Sequence, residues 1–271
     1  CRLLANFGVG TNHIDQDAAR EAGLVVSNTP GVLTEATADL TMTLLLMVTR
    51  RAGEGERLVR AGECHEGFVL ATGRRVRAGA WTGWAPTQLL GRSLGDLTLG
   101  IVGLGRIGRA VARRATRGFG LRVRWWNPRP LPDEALAGLE VERCPTLDGL
   151  LESADVVSLH CPATPETYHL LDAARLARMR PGSMVLNTAR GTVIDEEALV
   201  EALRSGHLAA AGLDVYEEEP RVHPGLLALE QVVLLPHLGS ATIEAREAMG
   251  WKALENIEAF AAGRELVDRV G

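Results

Sequence analysis

No apolar run in this chain of 271 residues approaches the roughly 18 that a membrane-spanning helix needs. The longest, residues 44–48, is far too short, and no signal-peptide pattern opens the chain. Basic runs are missing too. With 29 basic and 34 acidic residues the net charge is −5, so neither nucleic acid nor an anionic membrane is indicated as a partner. Cysteine is scarce. Cys1, Cys64, Cys144 and Cys161 show neither metal-ligand nor disulfide spacing, which fits a reducing cytoplasm and indicates no metal site. Lysine is nearly absent, with Lys252 alone against 28 arginines, an imbalance read as genomic base bias rather than function. An initiating methionine is missing as well. Residues 2–6 read at once as a buried strand with no lead-in, so an N-terminal truncation is expected.

What is present is ordinary globular composition. The chain is 46% hydrophobic and 23% charged, with 30 glycines and 12 prolines, which excludes disordered and collagen-like chains. Its length suits one large or two ordinary domains. Residues 3–6 and 24–27 read as strands, 7–12 as a glycine-rich loop and 15–22 as a short helix. Thr34 can cap a helix running to about residue 51, with Glu35 in its positive first turn. Residues 53–93 resist assignment. Within them 57–63 resembles 74–80 at five of seven positions, either a local duplication or chance similarity in an Arg/Ala/Gly-rich stretch.

From residue 97 onward strands and helices alternate. Strands are expected at 97–102, 121–126, 156–160, 183–187, 210–215 and 232–235. Helices are expected at 106–117, 147–153, 172–179, 195–205 and 241–262. That alternation predicts an α/β fold with a parallel sheet covered on both faces.

The strongest local signal is Gly103-Leu104-Gly105-Arg106-Ile107-Gly108. It follows a hydrophobic strand and opens a helix, the context a dinucleotide-binding turn requires. Gly103 permits the tight turn, Gly105 lets backbone approach a pyrophosphate, and Gly108 lets helix and strand pack closely. The helix N-terminus supplies unpaired N–H groups and partial positive charge. A glycine-rich turn without ligand is the competing reading. At the end of the next strand, where an acid would hold the ribose hydroxyls, stand Asn127-Pro128-Arg129. Nothing there repels a 2′-phosphate, and Arg129 can grip one bidentately. NADP(H) is therefore favoured, with NAD(H) possible if Arg129 is only a solvated loop residue.

Further polar groups fall at later strand ends, where open α/β sheets bind ligands. They are His160-Cys161-Pro162, Asn187-Thr188-Ala189-Arg190-Gly191, Asp214 and Pro236-His237. Arg190 follows a buried strand directly and can bind a carboxylate and polarise the adjacent carbonyl. His237 can give and take a proton near neutral pH. Glu219 can orient that imidazole and favour its protonated form. Singly, Arg190 could be a structural ion pair, Glu219 one of three solvated acids, and His237 a strand terminator. Their joint occurrence after a dinucleotide turn is what points to a site. The place of His160 before Cys161-Pro162 suggests a cofactor-adjacent group. His13, His65, His169, His207 and His223 are taken as surface or structural.

At this point the chain resembles the D-isomer-specific 2-hydroxyacid dehydrogenase family, and within it glyoxylate/hydroxypyruvate reductases. The carrying segments are Asn6-Phe7-Gly8-Val9-Gly10-Thr11-Asn12-His13-Ile14-Asp15, residues 28–39, 103–108, 187–191 and 212–215, and Pro236-His237-Leu238-Gly239-Ser240-Ala241-Thr242. The resemblance implies hydride transfer from NAD(P)H to the keto carbon of a small 2-oxoacid. It implies Arg190 as substrate holder, His237 as acid/base and Glu219 as its support. Backbone of Val9 and Gly10 would contact the substrate carboxylate. Thr37, Pro162, Thr188, Asp214 and Gly239 match cofactor-contacting positions, beside Gly103, Gly105, Arg106, Ile107, Gly108, Asn127, Pro128, Arg129, His160, Cys161 and Ala189.

The family also implies a homodimer and two domains. A Rossmann-like doubly wound cofactor domain would span 31–243. A fragment of a flavodoxin-like substrate domain would comprise 1–30 and 244–271. Two departures stand out. By the resemblance, part of the substrate domain is expected to be absent from this chain, which is therefore expected to be poorly active. Residues 64–80 also intervene before Trp81-Thr82-Gly83-Trp84 as an atypical insertion, which puts dimer geometry in doubt. A D-3-phosphoglycerate dehydrogenase, another D-2-hydroxyacid dehydrogenase, and a nucleotide-sensing corepressor-like scaffold share the same motifs.

Overall fold

Short apolar segments become strands here because helices cover both of their faces. The computed structural model describes residues 1–63, 68–69, 75–76, 81 and 83–270. The chain opens with β1 (Leu3–Ala5), α1 (Gln16–Glu21), β2 (Val25–Ser27), α2 (Thr34–Thr49) and α3 (Ala52–Glu63). Two-residue strands β3 (Phe68–Val69) and β4 (Arg75–Val76) pair antiparallel. Then come β5 (Thr98–Val102), α4 (Arg106–Phe119), β6 (Arg122–Trp126), α5 (Asp133–Leu136), β7 (Val141–Arg143), α6 (Leu147–Ser153) and β8 (Val156–Leu159). The remainder is α7 (Ala173–Arg178), β9 (Ser183–Asn187), α8 (Glu196–Arg204), β10 (Leu208–Leu213), α9 (Pro224–Leu227), β11 (Val232–Leu234), α10 (Ile243–Ala261) and β12 (Arg269–Val270).

Seven strands form one sheet in the order β7-β6-β5-β8-β9-β10-β11, every pair parallel. This is the doubly wound order 3-2-1-4-5-6 with one further strand, counting β5 as the first. Strands β5, β8 and β9 are buried at every position, as a parallel sheet sandwiched between helices requires. Alternate residues of β9 serve opposite faces: Met184 and Leu186 join one core with Leu44, Leu45 and Trp125, while Val185 joins the other with Leu150, Leu171 and Leu199. Helix α4 buries Ala110, Val111, Ala112 and Ala115 along one stripe, which packs against α2. A second sheet has the order β1-β2-β12, with β12 antiparallel to β2.

Several expectations change. Thr34 does not cap α2. Leu33 occupies the N-cap position with no side-chain hydrogen bond, and Thr34 is the first helical residue. Leu33 is instead buried against Ala245 and Met249 of α10, so apolar packing outweighs the cap. The expected helix to residue 51 is broken where Arg51 takes φ +52°, and α3 begins one residue later. Strands β7 and β12 and helices α3, α5 and α9 carry too few periodic residues to be read in advance. Strand β10 starts and ends two residues earlier than expected, with a register shift between Leu208 and Ala210. Of the two similar heptads, 57–63 lies in α3. Most of the second heptad, and most of the insertion at 64–80, lies outside the described residues. No helix among the described residues is long and apolar enough to cross a membrane.

Candidate active site

The strand order reverses between β5 and β8, and the glycine-rich turn leaves β5 at that point, where doubly wound sheets open a crevice beyond their strand ends. Gly103 has φ +96°, and a Cβ there would lie 2.7 Å from backbone atoms of His160 and Cys161. A Cβ on Gly108 would lie 2.3 Å from the Gly103 carbonyl oxygen. At Gly105 a Cβ would meet nothing within 4 Å. Gly105 is the N-cap of α4 and offers no side chain to its amides. The N–H groups of Arg106, Ile107 and Gly108 have no acceptor among the described residues, and the Arg106 side chain is exposed. An open, side-chain-free cradle of helix N–H groups fits a pyrophosphate.

Asn127 accepts a 2.7 Å hydrogen bond from the Leu104 N–H through Oδ1, so it braces the turn from the end of β6. Pro128 and Arg129 are exposed, and Arg129 has no ion-pair or hydrogen-bond partner among the described residues. His160 exchanges a 2.8 Å hydrogen bond with Ser158 through Nε2, and burial pushes its pKa down to about 4. It is a neutral imidazole near pH 7. Burial pushes the Cys161 thiol up to about 11, so it is no thiolate nucleophile. The Pro162 carbonyl accepts from the Thr167 hydroxyl at 2.6 Å.

The polar ends of β9 and β10 meet. Asn187, buried in β9, donates to the Arg190 carbonyl at 2.9 Å and accepts from the Ala189 N–H at 3.0 Å. This small ring projects Arg190 from the strand end. A Cβ on Gly191 would lie 1.8 Å from the Tyr216 carbonyl carbon, so only glycine lets this turn lie against the next. Beyond β10, Asp214 is 1% exposed and accepts from the Leu238 and Gly239 N–H groups at 2.7 and 2.8 Å. Burial raises its pKa, partly offset by those two bonds. The Asp214 carbonyl accepts from the His237 N–H at 2.9 Å, and His237 takes φ +56°. The His237 Nδ1 then meets Glu219 Oε2 at 2.8 Å. Glu219 Oε1 accepts from the Tyr216 N–H at 3.1 Å. No partner for His237 Nε2 occurs among the described residues.

Arg190 reaches across to the loop after β1. Its Nε donates to Asn12 Oδ1 at 2.9 Å and its Nη1 to the Ala189 carbonyl at 2.6 Å, leaving Nη2 without a partner among the described residues. Burial lowers its pKa while Glu219 raises it. Gly10 lies directly against it: a Cβ there would stand 1.6 Å from Nη2. The carbonyls of Gly8, Val9 and Gly10 are all engaged. Asn6 donates to those of Gly8 and Gly10 at 3.0 Å, and Asn28 donates to that of Val9 at 2.8 Å. The N–H groups of Val9 and Gly10 have no acceptor among the described residues. Thr37 is buried and lies beside Gly239, where a Cβ would be 3.5 Å from its hydroxyl. Thr188 and Thr41 share a 2.9 Å hydrogen bond. Sequence alone does not show the supporting roles of Asn12, Asn28 and Asn187. Asparagines in the loops beyond strands are the available signal, but which groups they bind is a tertiary fact.

Residues 42–239 match the family described as D-isomer specific 2-hydroxyacid dehydrogenase, NAD binding domain. The chain is 44% identical over 264 residues to a glyoxylate reductase of Thermococcus litoralis, covering 97% of this chain and 74% of the relative. A solved structure from Thermus thermophilus is 48% identical with a TM-score of 0.84, covering 100% of this chain and 79% of that one. The NADPH-dependent glyoxylate/hydroxypyruvate reductase of Sinorhizobium meliloti, solved with NADP and malonate, is 36% identical with a TM-score of 0.85, covering 100% and 77%.

Proposed function

The chain belongs to the D-isomer-specific 2-hydroxyacid dehydrogenase family, and from that premise we propose that it is an NADP(H)-preferring reductase of glyoxylate or hydroxypyruvate. That it is an NAD(P)-dependent 2-hydroxyacid dehydrogenase follows from the family itself. The substrate reading draws on the relatives called glyoxylate reductase and on the Sinorhizobium enzyme. The cofactor reading draws on the end of β6. No acid stands there, and Arg129 is an exposed guanidinium, without a partner among the described residues, that can pair with a 2′-phosphate.

When bound, the nicotinamide supplies a hydride for the keto carbon. The chain's own residues do the rest. Arg106, Ile107 and Gly108 give their N–H groups to the pyrophosphate, with Gly103 and Gly105 keeping the approach clear. Thr37, His160, Cys161, Pro162, Thr188, Ala189, Asp214 and Gly239 line the cofactor's path beside Asn127 and Pro128. The N–H groups of Val9 and Gly10 and the Arg190 guanidinium hold the substrate carboxylate. Arg190 also draws electron density from the keto oxygen. His237 gives its Nε2 proton to that oxygen as the C–O bond becomes single. Glu219 keeps the other proton on Nδ1 and stabilises the imidazolium present before transfer.

The observation that carries this reading is the 2.8 Å His237–Glu219 pair, with Nε2 unengaged among the described residues, next to the turn that holds Arg190. A homodimer in the cytoplasm belongs to the same proposal, as does a cofactor unit of 31–243 with 1–30 and 244–271 on the substrate side. Titration of tryptophan fluorescence with NADPH and NADH tests the cofactor part. We expect tighter NADPH binding, weakened about 10- to 100-fold by Arg129→Ala, as for loss of a charge-assisted hydrogen bond. Equal or tighter NADH binding would reject the role of Arg129 and leave the dehydrogenase assignment intact.

A further inference from the structure

A second imidazole–carboxylate pair stands behind the first. His169, read from the sequence as structural or surface, takes φ +46° and stacks on Tyr168 with ring centroids 4.1 Å apart. Its Nε2 hydrogen-bonds to Glu217 Oε1, and its Nδ1 lies 3.8 Å from Asp195 Oδ2. Glu217 precedes Glu219 by two residues in the turn after β10. Its backbone N–H donates to Glu196 Oε1 at 2.9 Å, and its Oε2 accepts from the Glu196 N–H at 3.2 Å.

The backbone around His169 belongs to the Arg190 side. The His169 N–H donates to the Thr192 carbonyl at 2.8 Å, and the Leu171 N–H to that of Val193 at 3.0 Å. His169 is thus fixed to the segment that directly follows Arg190, while its ring grips the turn that carries Glu219. The two turns already touch where Gly191 meets Tyr216. Beyond that contact, the Tyr216 hydroxyl donates to the Leu235 carbonyl at 2.8 Å and ties the turn to the next strand end. The ring of His169 and the reciprocal Glu196–Glu217 bonds add the points that fix the turn to the Arg190 side.

We propose that His169 and Glu217 are a positioning pair for the reaction, locking the Glu219-bearing turn against the Arg190-bearing segment so that Glu219 stays on His237 Nδ1. The inference rests on the reading of His237 and Glu219 as the proton-transfer pair. It makes neither His169 nor Glu217 a catalytic residue, since their effect passes through Glu219.

The test reads the His237 tautomer, which needs no turnover. Long-range ¹H–¹⁵N correlation of the histidine rings is recorded on the full chain at pH 8. In the unaltered chain His237 carries its proton on Nδ1, and Glu219→Gln erodes that preference. In His169→Leu we expect the ratio of the Nδ1–H to the Nε2–H form of His237 to fall at least fivefold. His169→Gln keeps a donor for Glu217 and should retain the original ratio, which loss of packing alone would not produce. Glu217→Leu supplies the same reading if His169→Leu does not fold. An unchanged ratio in folded His169→Leu or Glu217→Leu overturns the proposal. If the unaltered chain shows no Nδ1–H preference, the His237–Glu219 pair itself fails, and this inference falls with it.

Discussion

A methyl group at position 10 would stand 1.6 Å from Arg190 Nη2, so Gly10→Ala must push the guanidinium away from the loop amides. Steady-state kinetics should show about a 10- to 100-fold rise in KM for the 2-oxoacid, the scale of a lost charge-assisted hydrogen bond. Cofactor affinity should stay unchanged, because Gly10 sits in the loop after β1 and not in the Gly103 turn. A parallel loss of NADPH binding would mean that the loop serves the cofactor instead. His237→Asn removes the proton donor and should lower kcat by about 10²- to 10⁴-fold. Glu219→Gln keeps the shape but loses the carboxylate on Nδ1, so a smaller fall of about 10-fold or more is expected. A kcat for His237→Asn within twofold of the original would remove it from the mechanism. The residue types at 190, 219 and 237 were legible as a set because each stands beyond a hydrophobic strand. Their spacing in space was not. The 2.8 Å pairing of His237 and Glu219 depends on Asp214, beyond another strand, holding the backbone N–H groups of His237 and of the two residues after it.

At the scale of elements, the β5–turn–α4 unit was legible almost completely. An apolar strand, three glycines and an amphipathic helix are local signals, and each has one structural solution. Gly103→Ala tests how strictly. A side chain at φ +96° with a Cβ 2.7 Å from the His160 and Cys161 backbone forces the turn to move. Urea unfolding should show a loss of about 1–3 kcal/mol from backbone strain, and NADPH titration should show weakened binding. Retained stability and binding would mean that the turn can remodel freely. The N-terminus of α2 shows the limit of local signals. Thr34 has the right side chain for a cap, yet burial of Leu33 against α10 sets where the helix starts. That contact joins residues more than 200 positions apart, and no window of sequence contains it.

At the scale of the whole molecule, burial turns several ionisable groups into pH-dependent stability. His160 is held down to about 4 against an unfolded value near 6.5. Above about pH 6.5 both states leave it neutral. As pH falls towards 4 the unfolded chain takes up the proton first, so stability is lost across that window. The full contribution is about 3 kcal/mol at 1.36 kcal/mol per pH unit. Asp214 and Glu196 oppose it: burial raises both pKa values, so the folded chain binds their protons first and is favoured as pH falls. Denaturation midpoints for the unaltered chain and His160→Gln, compared from pH 7 to pH 4, isolate the His160 part. The variant should lose less stability on acidification. Equal slopes would show that His160 titrates alike in both states.

The sequence by itself determined the alternation of strand and helix, the nucleotide turn and the residue types that carry chemistry, because these rest on periodicity and on neighbours within a few positions. Tertiary structure decided which of those residues meet. Asn12 reaches Arg190 across 178 positions, and His169 reaches Glu217 across 48. Such pairings follow from strand order and from glycines that let two turns touch. Both are settled only when the sheet closes its core and most of its buried polar groups find partners.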